Sequence, residues 1–334
     1  MEIENLVEYV KGCDDYVITF HQNPDGDAIG SALGLHLALK GMKKTGLVLS
    51  PNQIGEYLMW LPGATDTMVF EGNEKSAAEL MKKAQTIFCL DFNDPNRTGP
   101  MENSLNASKA TKVLIDHHLE PKHFAKYELH DDKSPATAQL IFRLIQEIDP
   151  DLVNCDIATN LYTGLMTDTG SFRFPSTNAE THMAIAKMMQ TGFNHSIVHE
   201  NIYDTNTVNR RQLLGSRLLN RLEIIDEFST SIITVTKEDY EKFEIQKGDT
   251  EGLVNYNLSL EGIKFGVLFI ENDDLVKISF RSKGRFPANL FAKKYFQGGG
   301  HLNAAGGRSF VSLEKTIKRF KSKLKDFIDE NPIK

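Results

Sequence analysis

A chain of 334 residues with ordinary hydrophobic and charged fractions has room for two domains, each with its own core. Its formal net charge of −7 argues against a protein that coats long nucleic acids, and no apolar run approaches the roughly 20 residues needed to span a bilayer. Three scattered cysteines (Cys13, Cys89, Cys155) without C-x-x-C spacing and an acidic start without signal-peptide character argue against a disulfide framework and leave a reducing cytoplasm as the default expectation.

Tyr16 to Phe20 reads as a buried strand, and Asp27 to Lys40 as a helix capped by Asp27. Thr45 to Leu49, Thr86 to Leu90 and Lys112 to Ile115 are further short apolar runs of the strand type. Cys89, inside one of them, reads as core. Helical patterns follow at Thr137 to Glu147, Leu152 to Met166 and Ala179 to Gln190. Alternating apolar strands and helices imply an α/β domain built on a parallel sheet, expected over residues 1–192. Residues 193–222 read as a polar helical connector. Residues 223–334 read as a smaller α+β domain, with strands at Ser229 to Thr236, Ile263 to Ile270 and Leu275 to Phe280 and helices near Pro287 to Tyr295 and Ser312 to Phe327. The segment from Lys277 to Lys334 is strongly basic, so the rest of the chain is more acidic than the total suggests. Part of that basic charge is simply the wet side of the last helix, whose apolar stripe runs through Leu313, Ile317, Phe320, Leu324 and Phe327.

In parallel sheets, ligands sit beyond the carboxyl ends of the strands. Four segments deliver polar groups at strand or helix ends: His21-Gln22-Asn23-Pro24-Asp25-Gly26-Asp27, Cys89-Leu90-Asp91, Asp116-His117-His118 and Thr167-Asp168-Thr169. Gly26 permits a tight turn that lets Asp25 and Asp27 address different ions. With His21, Asp91, His117 and Asp168 they supply two imidazoles and four carboxylates, about what a pair of divalent cations needs. Asp91, arriving on a central strand, is the natural bridging carboxylate. Mixed imidazole and carboxylate ligands without thiolate favour Mn²⁺, with Mg²⁺ or Co²⁺ as alternatives. In the basic region, Gly298-Gly299-Gly300-His301 leads into what reads as a short helix, Leu302 to Ala305, and would cradle an anion on backbone N–H groups. Arg281 and Ser282 follow the strand before it, and the guanidinium suits bidentate phosphate recognition. His195 and His199 have metal-pair spacing but no carboxylate partner, and read as connector surface.

These motifs, taken in order, resemble those of the DHH phosphoesterase family along nearly the whole chain. His21 to Ser31, Asp91, Asp116-His117-His118 and Gly164 to Gly170 are similar to its four N-terminal motifs, and Gly298 to His301 to the signature of the DHH-associated domain. The resemblance implies that His21, Asp25 and Asp91 bind one ion, and Asp27, Asp91, His117 and Asp168 the other. It implies that His118 meets the scissile phosphate or moves a proton and that Asp116 orients a histidine. Arg97 would shape the site, and Arg281, Ser282, Gly299, Gly300 and His301 would hold the far end of the substrate. Size resembles that of the NrnA-type enzymes, which hydrolyse short oligoribonucleotides and 3'-phosphoadenosine-5'-phosphate. Expected partners are therefore short RNA and small nucleotide phosphates, with no long nucleic acid, no membrane and, by family analogy alone, a homodimer. The same chemistry on pyrophosphate, polyphosphate or linear and cyclic dinucleotides is the rival reading. A non-enzymatic nucleotide sensor would be expected to lack ligands, and none is missing.

Overall fold

The computed structural model describes residues 3–246 and 248–331, which divide into two compact units, Met1–Thr205 and Asn206–Lys334. No helix among the described residues is long and apolar enough to cross a membrane.

In chain order the first unit contains α1 (Ile3–Gly12), β1 (Asp15–Phe20), α2 (Gly26–Gly41), β2 (Thr45–Ser50), β3 (Met68–Val69), α3 (Glu74–Lys83), β4 (Thr86–Leu90), α4 (Glu102–Ala107), β5 (Thr111–Asp116) and β6 (Tyr127–His130). It ends with α5 (Thr137–Ile148), α6 (Cys155–Asp168), α7 (Ala179–Met189) and α8 (His195–His199). The six strands form one parallel sheet in the order β3-β2-β1-β4-β5-β6. Such a sheet must be covered on both faces. Phe20, Phe88 and Ile115 pack with residues of α1, α2, α5 and α6, while Val17, Cys89 and Leu114 pack with residues of α3 and α4. Cys89 is fully buried, and burial pushes its thiol up to about 12.

Chain order reverses between β1 and β2 on one side and β4 on the other, so the ends of β1 and β4 mark the topological switch point, where such sheets open a crevice. His21 follows β1, Asp91 follows β4, and Asp116 closes β5, the next strand along.

Two helix starts differ from expectation. Asp25, not Asp27, caps α2: its carboxylate accepts from the backbone N–H groups of Asp27 and Ala28. A side chain two residues further on would already lie inside the first turn. Pro150 to Leu152 forms a separate short turn, and α6 starts after Asn154, whose side chain accepts from Ile157 N–H.

The second unit contains α9 (Val208–Asn220), β7 (Leu222–Ile225), β8 (Thr230–Val235), α10 (Lys237–Lys242), α11 (Leu253–Leu258), β9 (Phe265–Glu271), β10 (Val276–Ser282), α12 (Ala288–Tyr295), β11 (Gly299–His301), β12 (Ala304–Ser309) and α13 (Leu313–Glu330). The helical segment read as a connector is thus shared, α8 lying in the first unit and α9 in the second. The sheet is mixed, in the order β11-β12-β10-β9-β8-β7. Only β8 and β9 run parallel. Phe265 and Phe280 of the sheet, Phe291 of α12 and Phe320 and Phe327 of α13 form an aromatic core.

The short helix expected at Leu302 to Ala305 is absent. Gly299–His301 instead pairs with Ala304–Ser309 as a hairpin. Glycine is needed for close strand approach rather than for a helix start. A Cβ on Gly298 would fall 1.9 Å from the Gly306 carbonyl oxygen, and Gly300 adopts φ +135°.

Candidate active site

The site lies in the first unit. Asp91 has φ +62°, a left-handed conformation uncommon for a residue with a side chain. Strain at this position turns its carboxylate out of the strand end into the crevice. Asp91 is 2% exposed, and its two oxygens face different histidines. Oδ2 lies 3.3 Å from His21 Nε2 and Oδ1 3.5 Å from His117 Nε2. His21 Nε2 is also 3.9 Å from Asp25, and His117 Nε2 is 3.8 Å from Asp27 and 3.3 Å from Asp168. The result is two adjoining clusters, His21–Asp25–Asp91 and Asp27–His117–Asp168, each with donor atoms within 4.8 Å of one another.

The other ring nitrogens decide what the clusters can bind. His21 Nδ1 donates to the Gln22 carbonyl at 3.0 Å, and His117 Nδ1 to the Ser134 carbonyl at 3.1 Å. In the neutral ring, Nε2 then carries the lone pair, and that lone pair faces carboxylate oxygens. Facing lone pairs repel unless positive charge sits between them. Ligand atoms around an octahedral divalent ion lie about 3 Å apart or more, which the observed 3.3–3.9 Å separations allow. The donor set therefore fits a pair of divalent cations.

The electrostatics agree. Burial, then the charges of Asp91 and Asp168, push the Asp27 carboxyl well above its usual range. Burial works against charge on His117, yet the facing Asp168 and Asp91 carboxylates hold it well above the ordinary imidazole value. Asp91 is also opposed by burial, but His117 and His21 hold it well below the usual range. The cluster demands positive charge at its centre, from protons or from cations.

Helix packing delivers the last two carboxylates. Asp27 lies in the first turn of α2, and Asp168 ends α6. The two helices cross tightly through glycine. A Cβ on Gly30 would fall 2.3 Å from the Asn160 carbonyl oxygen, and one on Gly164 would fall 2.8 Å from Asp27 Oδ1. His118 Nδ1 donates to Asp116 Oδ1 at 2.7 Å. Burial lowers the His118 pKa, so its ring is neutral near pH 7. Arg97 lies near enough to lower His118 further and to oppose the rise that the Asp91 and Asp25 carboxylates impose on His21, and its carbonyl accepts from Gln22 N–H at 2.7 Å.

Sequence reasoning missed the start of α5. Thr137 N–H donates to Asp27 Oδ2 at 2.7 Å, Ala138 N–H to Asp27 Oδ1 at 2.9 Å, and the Thr137 hydroxyl to Asp91 Oδ1 at 3.0 Å. These bonds span 110, 111 and 46 residues, and no local motif announces them.

In the second unit, the register of β10, β12 and β11 pairs both Arg281 and His301 with Ala304, so all three project from one face of the sheet. Gly299 is exposed beside them. Ser282 is committed to structure. Its hydroxyl donates to the Phe286 carbonyl at 2.7 Å and accepts from Asn303 at 2.8 Å, bracing the hairpin tip. His195 and His199 sit in an aromatic cluster, where His199 Nε2 hydrogen-bonds the Tyr162 hydroxyl at 3.0 Å.

Residues 15–165 match the model of the DHH family N-terminal domain, and residues 229–330 match the DHHA1 domain. The bifunctional oligoribonuclease and PAP phosphatase NrnA of Thermus thermophilus is 30% identical over 87% of this chain and 82% of its own length. The protein of the same name from Bacillus subtilis is 28% identical over 90% of this chain and 91% of its own. The crystal structure of an exopolyphosphatase-related protein from Bacteroides fragilis superposes with a TM-score of 0.92, at 36% identity over 97% of this chain and 96% of that one. The chain belongs to the DHH family and is a hydrolase acting on phosphoric ester bonds.

Proposed function

We propose that the chain is a divalent-cation-dependent phosphoesterase. Its substrates are short oligoribonucleotides, cut to 5'-mononucleotides, and 3'-phosphoadenosine-5'-phosphate, converted to AMP. The observation that carries the reading is Asp91, whose two oxygens address two separate histidine–carboxylate clusters. The shared name of the Thermus and Bacillus relatives supports the substrate class. The scattered free cysteines suit a cytoplasmic enzyme.

His21, Asp25 and Asp91 would hold one cation, and Asp27, Asp91, His117 and Asp168 the other. The carboxylate-rich, thiolate-free set favours Mn²⁺ over Mg²⁺ or Co²⁺. When bound, the cations would supply charge neutralisation at the phosphoryl group and ease the ionisation of water. Asp116 fixes the tautomer of His118 with the proton on Nδ1, which leaves Nε2 to accept one. Arg97 adds positive charge beside these rings, where an anion would gather. In the second unit, Arg281, His301 and the backbone at Gly299 and Gly300 offer a cationic face for the remainder of a nucleotide, and Ser282 contributes by holding that face in shape.

The Bacteroides structure favours a second reading, the same chemistry on polyphosphate. A product time course with Mn²⁺ on RNA dimers to pentamers, 3'-phosphoadenosine-5'-phosphate, cyclic dinucleotides and polyphosphate separates them. Mononucleotides and AMP are expected. Phosphate from polyphosphate, with neither of those products, would establish the rival. Nucleotide binding without any product would revive a sensor.

A further inference from the structure

Helix α5 begins without a cap of its own. Its N-cap residue is Ala136, which has no side-chain acceptor to offer the first N–H groups. The acceptor comes from Asp27, whose two carboxylate oxygens each take one of those N–H groups. The positive end of α5 therefore points straight at the buried Asp27 carboxylate. The residue at this junction is Thr137. It is fully buried, its N–H is engaged with Asp27, and its hydroxyl turns the other way to Asp91. One residue thus grips two carboxylates from different strand and helix ends that would otherwise repel each other.

We propose that Thr137 is a positioning residue that sets cation affinity by fixing the direction of the Asp91 carboxylate. The proposal rests on the reading of Asp91 as a ligand shared by two cations. A carboxylate free to rotate about its last bond presents its lone pairs in many directions. The Thr137 hydroxyl occupies one side of Oδ1 and leaves the remaining lone pairs of the group to His117's cluster on one side and His21's on the other. Threonine is suited to this task. Its branched side chain has few rotamers in a helix, so a buried hydroxyl there keeps its heading. Removing an outer hydrogen-bond partner of a metal ligand typically weakens binding or activity by about 10- to 100-fold.

The test is Mn²⁺ binding, followed by the electron paramagnetic resonance signal of the free ion, on the full chain and three variants. Thr137→Val keeps the shape and the backbone bonds to Asp27 and removes only the hydroxyl. We expect Mn²⁺ affinity to fall about 10- to 100-fold, with the melting temperature of the metal-free protein changing little. Thr137→Ser, which restores the hydroxyl, should recover most of the affinity. Thr137→Ala gives a second measurement without the hydroxyl should the valine variant fail to fold. Wild-type affinity in the valine or alanine variant would overturn the proposal. So would equal losses in the serine and valine variants, since restoring the hydroxyl would then recover nothing. Absence of saturable Mn²⁺ binding by the wild type would instead overturn the cation reading itself.

Discussion

His117 and His118 are neighbours in sequence, yet their Nδ1 atoms donate to different acceptors, His117 to the Ser134 carbonyl and His118 to the Asp116 carboxylate. Their ring centroids lie 4.9 Å apart at 71°, so the two imidazoles cannot serve one point from the same direction. His117 Nε2 faces Asp27, Asp91 and Asp168, which places it inside a cluster of donors. The two substitutions should therefore separate. His117→Ala should lose both turnover and tight Mn²⁺ binding. His118→Ala should keep Mn²⁺ binding and lose about 10²-fold or more in kcat. Metal titration alongside phosphate release checks both, and an equal loss of metal binding in the two variants would contradict the assignment.

Gly164→Ala should damage fold and site together. The new Cβ would meet Asp27 Oδ1 and Ala138 Cβ, each at 2.8 Å. Overpacking of this kind costs about 1–3 kcal/mol, and here it also displaces a candidate ligand. Gly215→Ala is the control: the position is exposed within α9 and its Cβ would meet nothing within 4 Å. That change should stabilise by about 0.5–1 kcal/mol through helix propensity. Thermal melts and phosphate release measure both.

Acid should weaken the first unit through His36. Burial, and secondarily Lys40, lowers its pKa below 6.5, against a small opposing effect of Asp66, and Nδ1 shares a 3.0 Å hydrogen bond with the Tyr16 hydroxyl. The unfolded chain then binds a proton more readily than the folded one between the folded pKa and 6.5. Stability from this group is intact above about pH 6.5, falls as pH drops through that window, and is lost below the folded value. A His36→Gln variant should show a smaller drop in melting temperature between about pH 7.5 and pH 5 than the wild type.

Arg281→Ala should divide substrates. The guanidinium lies on the same sheet face as His301, far in sequence from the ligand cluster. Loss of a charged phosphate contact should raise KM for nucleotide substrates about 10-fold or more while leaving the intrinsic Mn²⁺ affinity unchanged. A steady-state comparison of 3'-phosphoadenosine-5'-phosphate turnover, with metal binding in parallel, measures both parameters.

The apolar runs announced β1, β4 and β5 because a strand buried on both faces has no polar option. Their polar ends then announced His21, Asp91 and Asp116-His117-His118 at the switch point. The amphipathic stripe through Phe320, Leu324 and Phe327 likewise announced α13. What stayed hidden was non-local. Nothing around Ala136 and Thr137 says that the α5 cap will come from Asp27, because that bond is made only after α2 and α5 have packed. Gly298 to Gly307 misled for a related reason. Glycines suit a helix start and a close strand pair equally, and only the register with β10 decides between them. The two-residue strand β3 and the four-residue β6 carry too few alternations to be read from pattern alone.

The central claim is that Asp91 joins two cation sites in the first unit. Anomalous diffraction at the manganese edge, on crystals soaked in Mn²⁺, tests it most directly. Two peaks about 3.5–4 Å apart are predicted, one flanked by His21 and Asp25, the other by Asp27, His117 and Asp168, with the Asp91 carboxylate between them. A single peak not touching Asp91, or peaks only elsewhere on the chain, would contradict it.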